Sequence, residues 1–184
     1  IQLVKSGELD LAFCSPPPTD EPSLEFQELF DYNVVLMTPP GHALLEQHPI
    51  QLQDIAGWPL ILTGPESLTR RKVEQSLRSQ GIPYDVVLAM DDTESIKRYV
   101  EIGMGLAICS DFTLHEEDHY KLGVVRLDHI FQKSVIGVCT LKGKFLGRAV
   151  RNFIDTMADQ MRGFHAELLD WGYEAEAVPT GEVD

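Results

Sequence analysis

The 184 residues carry 15 Lys and Arg against 29 Asp and Glu, a formal net charge of −14 at pH 7, with 43% hydrophobic and 24% charged residues. That balance belongs to a folded chain of one or two domains of ~100–200 residues each, and no apolar run approaches the ~18 residues that cross a bilayer. The acid excess leaves little Lys/Arg surface to neutralise phosphates, so DNA contact is expected only through a separate module.

Ile1 to Gly7 has the pattern of a last helical turn halted by a glycine at C′. With no initiator Met and no signal peptide there, the sequence is expected to begin inside a domain. Leu9 to Cys14 is short and apolar enough for a buried strand, and Pro16-Pro17-Pro18 ends it. Tyr32 to Thr38 is β-branched and aromatic, a second strand closed by Pro39-Pro40-Gly41. A short helix around Leu52 to Ala56 leads through Gly57 to a strand over Pro59 to Thr63. From Ser67 or Thr69 to Gln80, the spacing of Val73 and Leu77, a leading hydroxyl and Gly81 predict a helix.

Tyr84 to Ala89 is the following strand, and Asp91-Asp92-Thr93-Glu94 opens the next helix, with Asp91 and Glu94 at capping-box spacing. Ile96, Tyr99 and Val100 make its apolar face before Gly103, and Leu106 to Cys109 is the strand it feeds. Residues 110–123 are polar and irregular, Val124 to Leu127 is a short strand and Val135 to Leu141 a clearer one. Phe145, Leu146, Ala149, Val150, Phe153, Ile154 and Met157 predict a final helix from Phe145 to Met161. Beyond Gly163 an acidic tail, 164–184, is expected, its first half docked by Trp171 and Tyr173 and its last ten or so residues unfolded.

Strands alternating with helices of ~10–15 residues define an α/β protein with a largely parallel sheet. The central segment forms its own βαβαβ set, which predicts two lobes: residues 1–57 with 124–163, and residues 58–123, with a cleft between them. Cys14, Cys109 and Cys139 lie far apart with no Cys-x-x-Cys, which suggests neither a disulfide framework nor a zinc knuckle and points to a reducing cytoplasm.

Two loops are candidate binding elements. Thr63-Gly64-Pro65-Glu66-Ser67-Leu68-Thr69 joins a strand end to a helix N-terminus, where free N–H groups and the helix dipole favour an anion. Arg70, Arg71 and Lys72 stand in that helix's first turn, where the dipole disfavours cations unless an anion lies nearby. Asp91-Asp92-Thr93 makes a second strand-to-helix passage, and in open α/β sheets ligands sit beyond the carboxyl ends of strands. The plain alternative is that Ser67, Thr69 and one aspartate simply cap their helices. His115-Glu116-Glu117-Asp118-His119 spells the zinc-protease His-Glu-x-x-His, but that chemistry needs both histidines on one face of a stable helix and a third ligand. At most two turns of acidic helix are available there, so a solvated loop is expected. No phosphate-binding or nucleotide-binding glycine motif is present, and no cofactor is called for.

Four segments together resemble one family. Ser6-Gly7-Glu8-Leu9-Asp10-Leu11-Ala12-Phe13, Val35 to Leu44, Leu52 to Ile61 and Asp91 to Ile108 resemble, in order and spacing over about residues 3–160, the effector-binding domain of LysR-type transcriptional regulators. Ile96-Lys97 with Tyr99-Val100 is similar to its CysB-like branch. The resemblance implies a two-lobed fold like type 2 periplasmic binding proteins, a small-molecule effector in the interlobe cleft, and homodimers or homotetramers. It further implies DNA contact through an N-terminal winged helix-turn-helix that this chain lacks, together with the family's first βαβ unit. Residue by residue, it implies effector contacts at Thr63, Gly64, Ser67 and Thr69, at Asp91, Asp92 and Thr93, and at Cys14 and Ser15. Where the CysB-like branch places a hydroxyl suited to sulfate-like anions, this chain has Asp91, so an acidic or zwitterionic metabolite is expected instead. The rival functions are a periplasmic-type solute-binding protein and a zinc-dependent hydrolase using His115 and His119.

Overall fold

The computed structural model describes residues 1–17, 21–47 and 49–170. In chain order the elements are α1 (Gln2–Lys5), β1 (Leu11–Cys14), β2 (Leu24–Tyr32), β3 (Val34–Thr38), α2 (Leu52–Ala56), β4 (Pro59–Leu62) and α3 (Leu68–Ser79). They continue with β5 (Asp85–Ala89), α4 (Thr93–Glu101), β6 (Leu106–Ser110), β7 (Gly123–Arg126), β8 (Ser134–Leu141) and α5 (Arg148–Asp170). Short 3-10 turns cover Ala43–Glu46, Asp111–Thr113 and Glu116–Tyr120.

The chain divides into two compact units, one made of Ile1–Tyr32 with Lys133 onward through α5, the other of Asn33–Gln132. The first holds a three-stranded antiparallel sheet in the order β1-β8-β2. Alternation along β8 serves its two faces: Val138 packs with Ile154 and Ala158 of α5, and Cys139 packs with Val4 of α1. The long strand β2 has no counterpart in the sequence reading, because Glu25, Gln27 and Glu28 break its apolar run while Leu24, Leu29 and Tyr32 are the buried positions.

The second unit holds a five-stranded sheet in the order β5-β4-β6-β3-β7. Its β4 pairs in parallel with β5 and β6, whereas β3 runs antiparallel to both β6 and β7. Leu60 and Leu62 of β4 pack with Val73 and Leu77 of α3 on one face, and α4, with Ile96 and Val100 fully buried, lies against β3, β4 and β6. Each such buried aliphatic side chain contributes about 1.5–3 kcal/mol. Gly103, at φ +79°, ends α4 in the left-handed conformation that a side chain disfavours.

Three expectations change. The boundaries at 57/58 and 123/124 do not hold, because β3 and β7 are strands of the second unit's sheet: Val35 sits between Cys109 of β6 and Arg126 of β7. The last helix starts at Arg148, not Phe145, and runs past Gly163 to Asp170, so 164–170 is helix rather than tail. The rest of the expected tail, 171–184, with Trp171 and Tyr173, lies outside the described residues. Cys109 is fully buried, and desolvation pushes its thiol up to about 12, which leaves it inert at neutral pH.

Candidate functional site

Because β4, β5 and β6 are parallel, their carboxyl ends share one edge of the sheet. The antiparallel β3 brings its amino end to that same edge, with Val34 opposite Ser110. Thr63, Asp91, Ser110, Asp111 and Asn33 are therefore neighbours along this edge although they come from four separate segments.

The α3 loop is built around a capped helix. Ser67 is the N-cap, its hydroxyl accepting from Arg70 N at 3.5 Å. Thr69, only 4% exposed, shares a 2.9 Å hydrogen bond between its Oγ1 and Ser110 Oγ. Two of the first-turn cations, Arg70 and Lys72, are each tied to a backbone carbonyl. Arg70 gives Nε to Glu74 Oε1 at 2.9 Å and Nη1 to the Thr63 carbonyl at 2.9 Å. Lys72 donates to the Gln132 carbonyl at 3.2 Å, and burial pulls its ammonium below the ordinary lysine range. Arg71 lines a surface hollow of about 450 Å³ with Glu74, Gln75, Arg78 and Ser79, none of them an expected ligand contact.

The α4 loop divides its acids among separate tasks. Asp92 is the N-cap of α4, accepting from Ser95 N at 3.2 Å and from the Ser95 hydroxyl, which holds its carboxyl below the usual carboxylate range. Asp91 instead accepts the Gly64 N–H on Oδ1 at 2.9 Å. The capping box expected between Asp91 and Glu94 is thus not formed: Glu94 pairs with Lys97 at 2.7 Å. Thr93 opens α4 and is half-buried. Gly64 has a steric reason to be glycine, since a Cβ there would lie 2.3 Å from Asp91 Oδ1.

Two acceptors on this edge have no hydrogen-bond partner among the described residues, Thr63 Oγ1 and Asn33 Oδ1, and both atoms are out of solvent. Asn33 is 2% exposed and gives its Nδ2 to Asp111 Oδ2 at 2.8 Å. A buried polar group left unmatched costs about 1–3 kcal/mol. Asn33, Ser110 and Asp111 were missed in the sequence reading. The usable signal for Ser110 and Asp111 was their position at a strand's carboxyl end, as for Thr63 and Asp91.

Cys14 ends β1 in the first unit, with Ser15 immediately after it, both half-buried. Burial pushes the Cys14 thiol up, and its neighbour Cys139 adds to the shift. The His-Glu-x-x-His stretch forms a 3-10 turn with exposed His115 as its N-cap. A 3-10 turn eclipses residues three apart rather than four, so it cannot present His115 and His119 on one face as zinc chemistry needs. Its Asp118, 5% exposed, instead accepts from His115 N at 2.7 Å and pairs with the buried Lys97 at 2.7 Å. Among the described residues no group of three or more His, Cys, Asp or Glu is placed to hold a metal ion.

The family described as the LysR substrate binding domain matches residues 1–162. The chain belongs to that family. The HTH-type transcriptional regulator CysB of Burkholderia cenocepacia is 27% identical over 176 residues, which is 96% of this chain and 55% of that protein. The chain thus spans about half the length of the curated relatives it matches. Among solved structures, the cofactor-binding domain of the Cbl transcriptional regulator aligns at TM-score 0.72 and 25% identity, covering 84% of this chain and 68% of that one. The Synechocystis CcmR regulatory domain in complex with 2-PG aligns at TM-score 0.72 and 26% identity, over 86% and 76%. The α/β fold is that of LysR regulatory domains, and the resemblance carried by the four sequence segments is borne out.

Proposed function

We propose that this LysR-family domain senses a small acidic or zwitterionic metabolite at the edge where β4, β5 and β6 end, through Thr63, Gly64, Ser67, Thr69, Asp91, Asp92 and Thr93, with Ser110 and Asn33 joining them. The carrying observation is that the buried hydroxyl of Thr69, at the start of α3, meets that of Ser110 at the end of β6, with Thr63 Oγ1 left unmatched at the end of β4. In the intact protein, ligand binding shifts the domain between states and so alters DNA binding by a winged helix-turn-helix elsewhere in the polypeptide. A ligand does so only by its differential affinity for those states. The role is binding rather than catalysis, exercised in the cytoplasm by a homodimer or homotetramer.

A thermal-shift screen of amino acids, aromatic acids and sulfur-containing metabolites tests this reading. One class is expected to stabilise the protein saturably, by about 2.7 kcal/mol at a hundred times its Kd. Thr69→Ala, which strips the hydroxyl that meets Ser110, is expected to remove most of that stabilisation while the domain stays folded. Undiminished stabilisation of both Thr69→Ala and Thr63→Ala proteins overturns the assignment of the site.

A further inference from the structure

We propose that Cys14 and Cys139 are the two ligands of a site for a soft monovalent cation, Cu(I) or its analogue Ag(I), bridged between the thiolates on one face of the first unit's sheet. This site is independent of the ligand edge, which belongs to the second unit. In the antiparallel pairing of β1 with β8, Ala12 faces Cys139 and Cys14 faces Gly137, so the two cysteines are diagonal neighbours on the same side of the sheet. Alternation agrees: Ala12, Cys14, Phe26 and Leu141 pack with Cys139, Val4 and Leu24, whereas Leu11 packs with Val138 and the α5 side chains on the other face. Gly137 puts no side chain beside Cys14, and a Cβ there would stand 2.5 Å from Cζ of Phe26. The two thiols meet in a hydrogen bond, with an aromatic ring and aliphatic side chains around them.

The chemistry of the pair selects the occupant. Both cysteines are free thiols. Diagonal neighbours across an antiparallel pair have Cα atoms about 7–8 Å apart, beyond the ~4.4–6.8 Å that a disulfide accepts without moving the backbone. Two metal–sulfur bonds of about 2.3 Å span more than twice the ~2.05 Å of one S–S bond, so a bridging ion reaches where the disulfide does not. Zinc requires four ligands, or three and a water, and among the described residues no third His, Cys, Asp or Glu joins the pair. Soft thiolates select Cu(I) instead, and a monovalent ion with a filled d shell is satisfied by two of them in line. Desolvation raises the Cys14 thiol, and Cys139 raises it further because two thiolates side by side repel. That keeps Cys14 protonated and slow toward oxidants at neutral pH, whereas a coordinating cation displaces the thiol proton outright and sits between the two charges. Each S–H bond breaks as an S–metal bond forms, and two protons pass to solvent. Access is from the sheet's margin: Cys14 is half-buried and ends the edge strand β1, while Cys139 is fully buried.

The test titrates the reduced full chain with silver nitrate in chloride-free buffer, with free methionine in large excess to compete for thioether binding. Native mass spectrometry is expected to show one Ag(I) per chain with two protons displaced, and a thiolate-to-metal absorption band is expected to grow in step. Cys14→Ser and Cys139→Ala are each expected to weaken that binding about a hundred-fold or more, the upper end of what losing a mere supporting residue costs. Cys109→Ala, which removes the sealed thiol of the second unit, is expected to leave it unchanged. Cys14 is half-buried, so Cys14→Ser folds, as an unchanged urea midpoint will verify, and its result decides the matter even where Cys139→Ala fails to fold. Silver binding that survives Cys14→Ser, or that Cys109→Ala weakens as much, overturns the proposal. So does rapid closure of a Cys14–Cys139 disulfide by hydrogen peroxide, in which both thiol hydrogens leave and one peroxide becomes two waters, because sulfurs that join directly leave no gap for a bridging ion. None of these outcomes bears on the ligand site of the second unit, which Thr69→Ala and Thr63→Ala test.

Discussion

The N-termini of α3 and α4 begin alike, each at the end of a parallel strand and each with a short polar cap, yet they are completed in opposite ways. At α4 the cap is a carboxylate, Asp92, held by Ser95 of the same turn, and the helix is anchored below by Lys97 on Asp118. At α3 the cap is the neutral Ser67 at a long 3.5 Å, and the loop before it is completed from outside by Asp91. Local sequence closes one terminus, while a distant residue closes the other. The terminus that depends on a distant group is the one that a substitution far along the chain can reopen.

That contrast predicts a ranking of effects. The largest belongs to the α4 anchor: Asp118→Ala strands a buried ammonium and is expected to lower urea-unfolding stability by about 3 kcal/mol or more, Glu94 supplying partial cover. Replacing both partners, Lys97→Met with Asp118→Leu, recovers most of that loss, because the desolvation of two charges disappears with them. Next is Gly64→Ala, which must push Asp91 off the amide. A cost of about 1–2 kcal/mol is expected in wild type and little in an Asp91→Ala background, a coupling that a double-mutant cycle measures. Ser67→Ala follows at about 0.5–1 kcal/mol, at the low end for a cap because its bond is long.

The smallest effect is one of pH. The folded-state pKa of Asp92 lies below its unfolded value of ~3.9. Its capping contribution is therefore complete above that value and is lost as pH falls through the lower, folded one. The destabilisation caused by Asp92→Ala should accordingly shrink between neutral pH and pH 3, whereas that of Ser67→Ala should not. Equal pH dependence of the two variants in thermal melts contradicts this account of the caps.

Much of this was legible before any coordinates. β4 and β6 announce themselves because their residues are buried on both faces and hence continuously apolar. Helices α3 and α4 show their buried stripes and caps. β2 stayed hidden because it is half-buried and its exposed positions carry Glu25, Gln27 and Glu28. The site was legible as two loops, each a strand end meeting a helix start, but not as a set of contacts. Gly64 with Asp91 spans 27 residues, Thr69 with Ser110 spans 41, and Asn33 with Asp111 spans 78.

What the sequence determined by itself is whatever neighbours along the chain decide: where helices start and stop, which face of each is apolar, and which strands are buried. It also carried the family, since four motifs in order are a property of the chain alone. Only the tertiary structure decided that β3 and β7 belong to the second unit, that Asp91 rather than Asp92 reaches Gly64, and that His115 and His119 stand on a 3-10 turn tied to Lys97. The physical reason is the same in each case. Strand order and register set which side chains become neighbours across the sheet, and those choices rest on burial summed over the whole domain, not on any local residue's preference.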